Sequence, residues 1–267
     1  MKHLLPIALF LVSLAQAQAD YSPFDEHQLV QYSTIDAFLA GVYDGDMRVS
    51  ELKEHGDFGI GTFNGVDGEL LMIDGTVYQI PASCKVRVAD ADQLTPFVTV
   101  TFFKPENHAT LAGAASRAEV ESSLENRMFK SKNVFYAFRF DGTFTHVKAR
   151  APRKQKPPYP LIKEVMDDEA VFHFRNIKGT MIGFWCPTYL TGLTVPGWHM
   201  HFISEDKKQG GHVLDYSIGD IKVAAMQMLR FQILLPRQSS FLSADLDLDR
   251  AEIMQEIETE ESGSHAH

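Results

Sequence analysis

The sequence predicts an α+β fold of two lobes, built on mixed, mainly antiparallel β-sheets with a few flanking helices. Three observations carry that expectation. Short β-rich runs follow one another between Asp-Gly turn signals, the pattern of a meandering sheet. Helix signals are few and short, and they fall between groups of strands. A Pro-rich, positively charged stretch divides the chain, and it suits neither helix nor central strand. With 267 residues, 45% hydrophobic and 22% charged, the chain can bury a sizeable core, which excludes wholesale disorder, collagen and coiled coil.

Residues 1–19 have the tripartite form of a secretory signal: positive Lys2, an apolar run from Leu4 to Leu14, and the small-residue end Ala15-Gln16-Ala17-Gln18-Ala19 ahead of Asp20-Tyr21-Ser22. Export to the periplasm or the medium, with cleavage near Ala19, is the expectation. The apolar run is too short to span a bilayer, and no later segment reaches the ~20 apolar residues of a membrane span, so no membrane partner is expected. Ser33-Thr34-Ile35-Asp36 before Ala37-Phe38-Leu39-Ala40 reads as an N-capped helix, and Ser50 before Glu51-Leu52-Lys53 as the cap of a shorter one. Strands are expected at 58–64, 70–73, 76–80, 85–89 and 97–103, a helix at 117–128, and strands at 134–140 and 143–150 flanking the hairpin signal Asp141-Gly142. The stretch 151–160, with Pro152, Pro157, Pro158 and Pro160 among Arg153, Lys154 and Lys156, reads as a linker between lobes 20–150 and 161–267. The second lobe is expected to hold a short helix from Leu161, strands near 170–174, 178–185, 198–203, 212–218 and 221–235, and a last helix from Asp249 to about Thr259. Gly59-Ile60-Gly61 lacks the rest of a dinucleotide fingerprint.

Lys and Arg number 25 against 35 Asp and Glu, a net charge of −10 that repels phosphate backbones, so no nucleic-acid partner is expected. The two cysteines, Cys84 and Cys186, cannot build a thiolate metal site or a disulfide framework, though outside the cytoplasm they could pair if the fold joins them. Any metal must therefore be held by His and carboxylate, and the chain has 11 His. In Gly197-Trp198-His199-Met200-His201-Phe202-Ile203-Ser204 the character alternates with period two, which puts Trp198, Met200 and Phe202 on one face of a strand and His199 and His201 on the other. His212, after Gly210-Gly211, opens the apolar run Val213-Leu214, so a returning strand could set it opposite the pair. Three His with an open position is a ligand set of catalytic zinc.

Two kinds of metal fold suit that spacing. His199, His201 and Glu205 follow much of the first motif of cupin barrels, which with His212 would make a metal-dependent oxygenase; Leu193 stands where that motif has glycine, and no second motif follows. The stronger resemblance covers essentially the whole chain after residue 19. Gly56-Asp57-Phe58-Gly59-Ile60-Gly61-Thr62-Phe63-Asn64, Asp67-Gly68-Glu69-Leu70, Asn133-Val134-Phe135-Tyr136-Ala137, Lys178-Gly179-Thr180, Val195-Pro196-Gly197-Trp198-His199-Met200-His201-Phe202 and Gly210-Gly211-His212-Val213-Leu214-Asp215 resemble, in order and spacing, the signatures of the α-acetolactate decarboxylases. Trp198 stands where that family commonly has Tyr, and Cys186 lies in a segment that usually lacks Cys.

The resemblance implies a zinc carboxy-lyase that converts 2-acetolactate, a 2-hydroxy-3-keto acid, to acetoin and CO₂. It implies His199, His201 and His212 as zinc ligands, Glu69 and Glu258 as active-site carboxylates, Arg150 as an active-site arginine and Thr62 as a pocket hydroxyl. By residue type alone Glu69 reads rather as a solvated hairpin end, Arg150 as part of the basic stretch and Glu258 as one of the tail carboxylates between Asp249 and Glu261, since charged residues usually lie on the surface. Zinc held by neutral imidazoles would act as Lewis acid where negative charge develops, Arg150 would fix the leaving carboxylate, and Glu69 or Glu258 would deliver the proton. A homodimer formed through the N-terminal sheet is a further implication. An exported metal-binding protein without activity is the non-enzymatic alternative.

Overall fold

The computed structural model describes residues 27–113, 115–247 and 250–258; the expected signal at 1–19 lies outside them. The strands are β1 (Gln28–Tyr32), β2 (Met47–Arg48), β3 (Phe58–Thr62), β4 (Glu69–Ile73), β5 (Thr76–Ile80), β6 (Arg87–Val88), β7 (Leu94–Thr95), β8 (Val98–Thr101), β9 (Asn107–Leu111), β10 (Ala115–Ser116), β11 (Phe135–Ala151), β12 (Ala170–Cys186), β13 (Gly197–Ser204), β14 (Gly210–Met228) and β15 (Arg230–Leu234). The helices are α1 (Ile35–Leu39), α2 (Val49–Leu52), α3 (Arg117–Met128), α4 (Ile162–Asp167), α5 (Ser239–Leu242) and α6 (Ala251–Glu258). The architecture is mainly β, with few helices. Among the described residues no helix is long and apolar enough to cross a membrane.

A seven-stranded sheet runs β15-β1-β8-β3-β4-β5-β6, antiparallel except where β1 lies parallel to β15. A six-stranded sheet holds β10-β14-β11-β12-β13, with β9 on β14, and it curls until β13 also pairs with β14. One face of the curled sheet gathers Phe138, Phe140, Phe144, Phe202 and Tyr216 into a core that Val120 and Leu124 of α3 cover. The other face packs Phe135, Phe184, Ile203 and Met226 against Leu29, Phe58, Ile60 and Leu71 of the first sheet. Burying a side chain of that size contributes about 1.5–3 kcal/mol, so this apposition holds the two sheets in register with each other.

α1 starts as its sequence says, with the Thr34 hydroxyl accepting from the Ala37 N–H at 3.1 Å. α3 has a full capping box, in which the Glu119 carboxylate accepts from the Ser116 N–H at 2.8 Å. Ser50 is not a cap: it lies inside α2, which begins after Arg48.

Three long strands replace expected pairs of short ones. Asp141-Gly142 is not a hairpin but an irregularity inside β11, where the register against β14 shifts between Gly142 and Phe144. β12 likewise runs through Asn176, whose φ is +49°, and β14 runs through Gly219-Asp220. Turn residues bend these strands instead of ending them, because β11 pairs with β12 and with β14 on both sides of each irregularity. The sheets also do not divide at 151–160. β11, before that stretch, is central to the second sheet, and β15, far after it, joins the first. The Pro-rich stretch packs onto the first sheet's side, where the Gln155 N–H donates to the Gly65 carbonyl at 2.6 Å and Lys154 pairs with Asp67 at 3.1 Å.

Gly183 of β12 faces Met200 of β13, and a Cβ placed on it would sit 1.9 Å from the carbonyl oxygen of His199. Gly183→Ala should therefore cost about 1–3 kcal/mol, as overpacked sites do. At roughly 2–4 °C per kcal/mol, thermal unfolding should show a fall of about 5 °C. An unchanged melting temperature would mean that the two strands can part without loss.

Candidate active site

β13 alternates as its sequence requires. Trp198, Met200 and Phe202 join the inner core, while His199 and His201 turn to the opposite face. β14 returns beside β13 and pairs His212 with His201. Glycine is what allows the approach, since a Cβ on Gly210 would meet the Phe202 carbonyl at 2.3 Å. The three imidazoles stand with ring centroids 5.1–5.3 Å apart, and one nitrogen from each lies within 4.8 Å of the others. On its other side His212 pairs in register with Arg150 of β11, which brings the guanidinium beside the histidines.

The first sheet completes the site. His201 Nδ1 lies 2.9 Å from the Leu70 carbonyl, and because a carbonyl can only accept, Nδ1 carries the hydrogen. Nε2, bearing the lone pair, then faces Glu69 Oε2 at 3.4 Å. Thr62 sits opposite Glu69 in the β3–β4 register, and its hydroxyl donates to the Gly68 carbonyl at 2.7 Å. Arg150 is 3% exposed; its Nε lies 3.4 Å from Glu169 Oε2, and its Nη1 has no hydrogen-bond partner among the described residues. Thr62, Glu69, Arg150 and the three histidines line a cavity of about 60 Å³ whose remaining wall is apolar, with Phe38 from α1, Met166 from α4 and Met254 and Ile257 from α6.

Burial dominates the electrostatics. It pushes all three imidazoles down, His201 to about 3 and His199 and His212 well below the usual range, with the Arg150 charge acting in the same direction. The rings are therefore neutral, the form that ligates metal. With its Nδ1 hydrogen engaged, a neutral His201 presents the Nε2 lone pair, 3.4 Å from a Glu69 oxygen. The Nδ1 bond to a carbonyl is the outer-shell contact that ligating histidines usually make. The donor set fits a divalent metal of the zinc type, three nitrogens with carboxylate nearby.

Of the residues singled out in the sequence, His199, His201, His212, Glu69, Arg150 and Thr62 meet at this one cavity. Glu258 ends α6, and its side chain lies outside the described residues. Glu205 is exposed in the turn after β13 and lines a separate polar groove with Asp141 and Lys178, so it is no fourth ligand and the cupin arrangement does not form. Cys84 and Cys186 are free thiols: Cys84 contacts the Gly210 carbonyl, whereas Cys186 is buried beside Thr194, and burial pushes its thiol up to about 12. Glu169 is a site neighbour that the sequence does not single out, because Asp167-Asp168-Glu169 reads as a solvated acidic end of α4.

Residues 29–248 match the family model for alpha-acetolactate decarboxylase. The chain is 42% identical over 230 residues to the alpha-acetolactate decarboxylase of Methanosarcina mazei, covering 86% of this chain and 80% of that one. It is 40% identical over 235 residues to the one from Bacillus licheniformis, covering 87% and 92%. The crystal structure of alpha-acetolactate decarboxylase from Bacillus subtilis superposes with a TM-score of 0.84 at 38% identity, covering 86% of this chain and 98% of that one.

The depressed imidazoles set a pH dependence for the metal-free protein. Below about pH 6.5 the unfolded chain takes up a proton on each of these histidines while the folded chain does not, so their contribution is intact above pH 6.5 and is lost as pH falls toward the folded value, about 3 for His201. Each such group steepens the decline by up to ~1.4 kcal/mol per pH unit. Denaturant unfolding of chelator-treated protein between pH 7.5 and 5 should show the slope, and His201→Gln should flatten it. Parallel profiles for the two proteins would contradict this account.

Proposed function

The chain belongs to the α-acetolactate decarboxylase family, and from that footing we propose that His199, His201 and His212 hold zinc for the conversion of 2-acetolactate to acetoin and CO₂. The activity is that of a carboxy-lyase in acetoin formation. The observation that carries the zinc reading is the convergence of three neutral imidazoles, a buried guanidinium and a carboxylate on one small cavity. When bound, the metal supplies Lewis acidity to the ketone and hydroxyl oxygens as the bond to CO₂ breaks.

The chain's own groups divide the remaining work. Arg150 offers its unengaged Nη1 to the substrate carboxylate, a planar donor edge that fixes the group for departure. Thr62 has its hydrogen committed to the Gly68 carbonyl, so its oxygen is left to accept, which suits the substrate hydroxyl. Glu69, 8% exposed and at the edge of the histidine cluster, holds the proton for one face of the carbon that loses CO₂, and Glu258 is the alternative donor. Delivery to one face gives a chiral product. The apolar wall of Phe38, Met166, Met254 and Ile257 excludes water, which strengthens the charge interactions inside.

The segment 1–19 supports export after cleavage near Ala19, and among the described residues the seven-stranded sheet ends in β15 and β6, edges that suit a homodimer. Light scattering of the purified protein should give a particle near twice the chain's 30.0 kDa, and a monomer at micromolar concentration would reject the dimer.

Zinc-replete protein given 2-acetolactate should produce acetoin, and its failure to do so would end the functional reading. His201→Ala should lose zinc and turnover together, because two imidazoles seldom hold the ion tightly. Arg150→Ala should keep zinc yet lose on the order of 10²-fold in kcat, the scale of deleting one positioned electrostatic group. Glu69→Gln should keep zinc and turn over slowly; full activity with unchanged acetoin stereochemistry would shift the proton to Glu258.

A further inference from the structure

Arg150 presents a problem that the reaction by itself does not solve. Its guanidinium is almost wholly buried, close to three imidazoles and to the seat of a doubly charged ion, and its long side chain has many rotamers. Something must hold it with one edge free for the substrate. The group that does so is absent from the cavity wall. Glu169 is the residue between α4 and β12: its N–H donates to the Met166 carbonyl at 3.3 Å, and β12 begins at the next residue, with Ala170 opposite Ala151 and Val171 opposite Arg150. The Glu169 side chain lies inward, only 8% exposed, with Oε2 3.4 Å from Arg150 Nε, an ion-pair contact in which Oε2 makes no hydrogen bond among the described residues.

We propose that Glu169 is the positioning residue for Arg150, anchoring the guanidinium by its Nε so that Nη1 stays directed at the substrate carboxylate. This rests on the decarboxylase reading and goes beyond it, since Glu169 does not line the cavity and acts only through Arg150. A buried ion pair is a poor source of stability, because desolvating both charges offsets their attraction. What such a pair provides is direction. Burial pushes the Glu169 carboxyl up, while Arg150, and then Lys148 two residues before it on β11, draw it back down. Asp167 and Asp168, its neighbours in the acidic run, are exposed, and Asp168 pairs instead with Arg153 at 3.4 Å, so the pairing with Arg150 is particular to Glu169.

The test compares two ligands of the zinc-loaded full chain: 2,3-dihydroxy-2-methylbutanoate, which has the substrate's carboxylate, and 2,3-butanediol, which lacks it. In Glu169→Ala, kcat should fall by roughly 10- to 100-fold, the cost of about an ångström of misplacement. Affinity for the dihydroxy acid should fall about 10-fold or more, with diol affinity within about 2-fold of wild type and zinc content unchanged. Glu169→Gln keeps the side chain's length and an oxygen at that place but not its charge, and it should recover part of what Glu169→Ala loses. Wild-type kcat in Glu169→Ala, equal loss for both ligands, or a Gln variant as impaired as the Ala variant would each overturn the proposal. Should Glu169→Ala fail to fold, Glu169→Asp, which keeps the charge but withdraws it by one methylene, should show the same selective loss, and wild-type behaviour there would overturn it. A wild-type protein inert on 2-acetolactate would sink the decarboxylase reading; an active wild type with an indifferent Glu169→Ala would sink only this inference.

Discussion

The pairing of β13 with β14, through His201 with His212, Phe202 with Gly211 and Ile203 with Gly210, is the contact on which the rest of the site depends. It is short, and Gly210 is what lets the two backbones approach, while Gly211 gives the same room toward Arg150 of β11. Its consequences run in both directions across the sheet. Toward β13 it sets His212 against the His199 and His201 pair, and toward β11 it sets the same residue against Arg150. Two ladders meeting at one histidine thus bring the imidazole nitrogens and the guanidinium together with the precision of backbone hydrogen bonds, which loops would not give.

The second sheet alone would leave these groups facing open space. The hydrophobic apposition of Phe184, Ile203 and Met226 with Phe58, Ile60 and Leu71 brings β3 and β4 over them, and with β4 come the Leu70 carbonyl that sets the His201 tautomer and the Glu69 carboxylate. Desolvation does the electrostatic work. It keeps the imidazoles neutral and makes each remaining charge matter more than it would in water. Around the cavity, Arg150 has Glu169 behind it at 3.4 Å, and Glu69 lies 3.4 Å from the histidine cluster.

Three short helices finish the enclosure. α1, α4 and α6 come from distant parts of the chain, yet Phe38, Met166, Met254 and Ile257 belong to one apolar cluster with Val66, Phe97 and Val195. None of these helices is long enough to be stable by itself, so their positions are owed to that cluster. The cavity roof and the chain's last described helix therefore form together.

The period-two alternation of residues 198–202 determined by itself which residues face the cavity, because a strand's side chains alternate whatever else the fold does. The order of signatures along the chain determined the family in the same way, and the cap at Thr34 set the start of α1. Other features were not legible. Asp141-Gly142 has the chemistry of a hairpin turn, but partners on both sides carry β11 through it as a bend. Glu69 and Arg150 look like surface charges in sequence, and only the stacking of one sheet on the other buries them. Glu169 is hidden more deeply, in an acidic run that reads as solvated, because its inward turn comes from the β11–β12 register rather than from any local preference. Local periodicity is a property of the backbone and can be read from residues in order, whereas burial and charge pairing arise between segments far apart in the chain and exist only once the sheets have closed on each other.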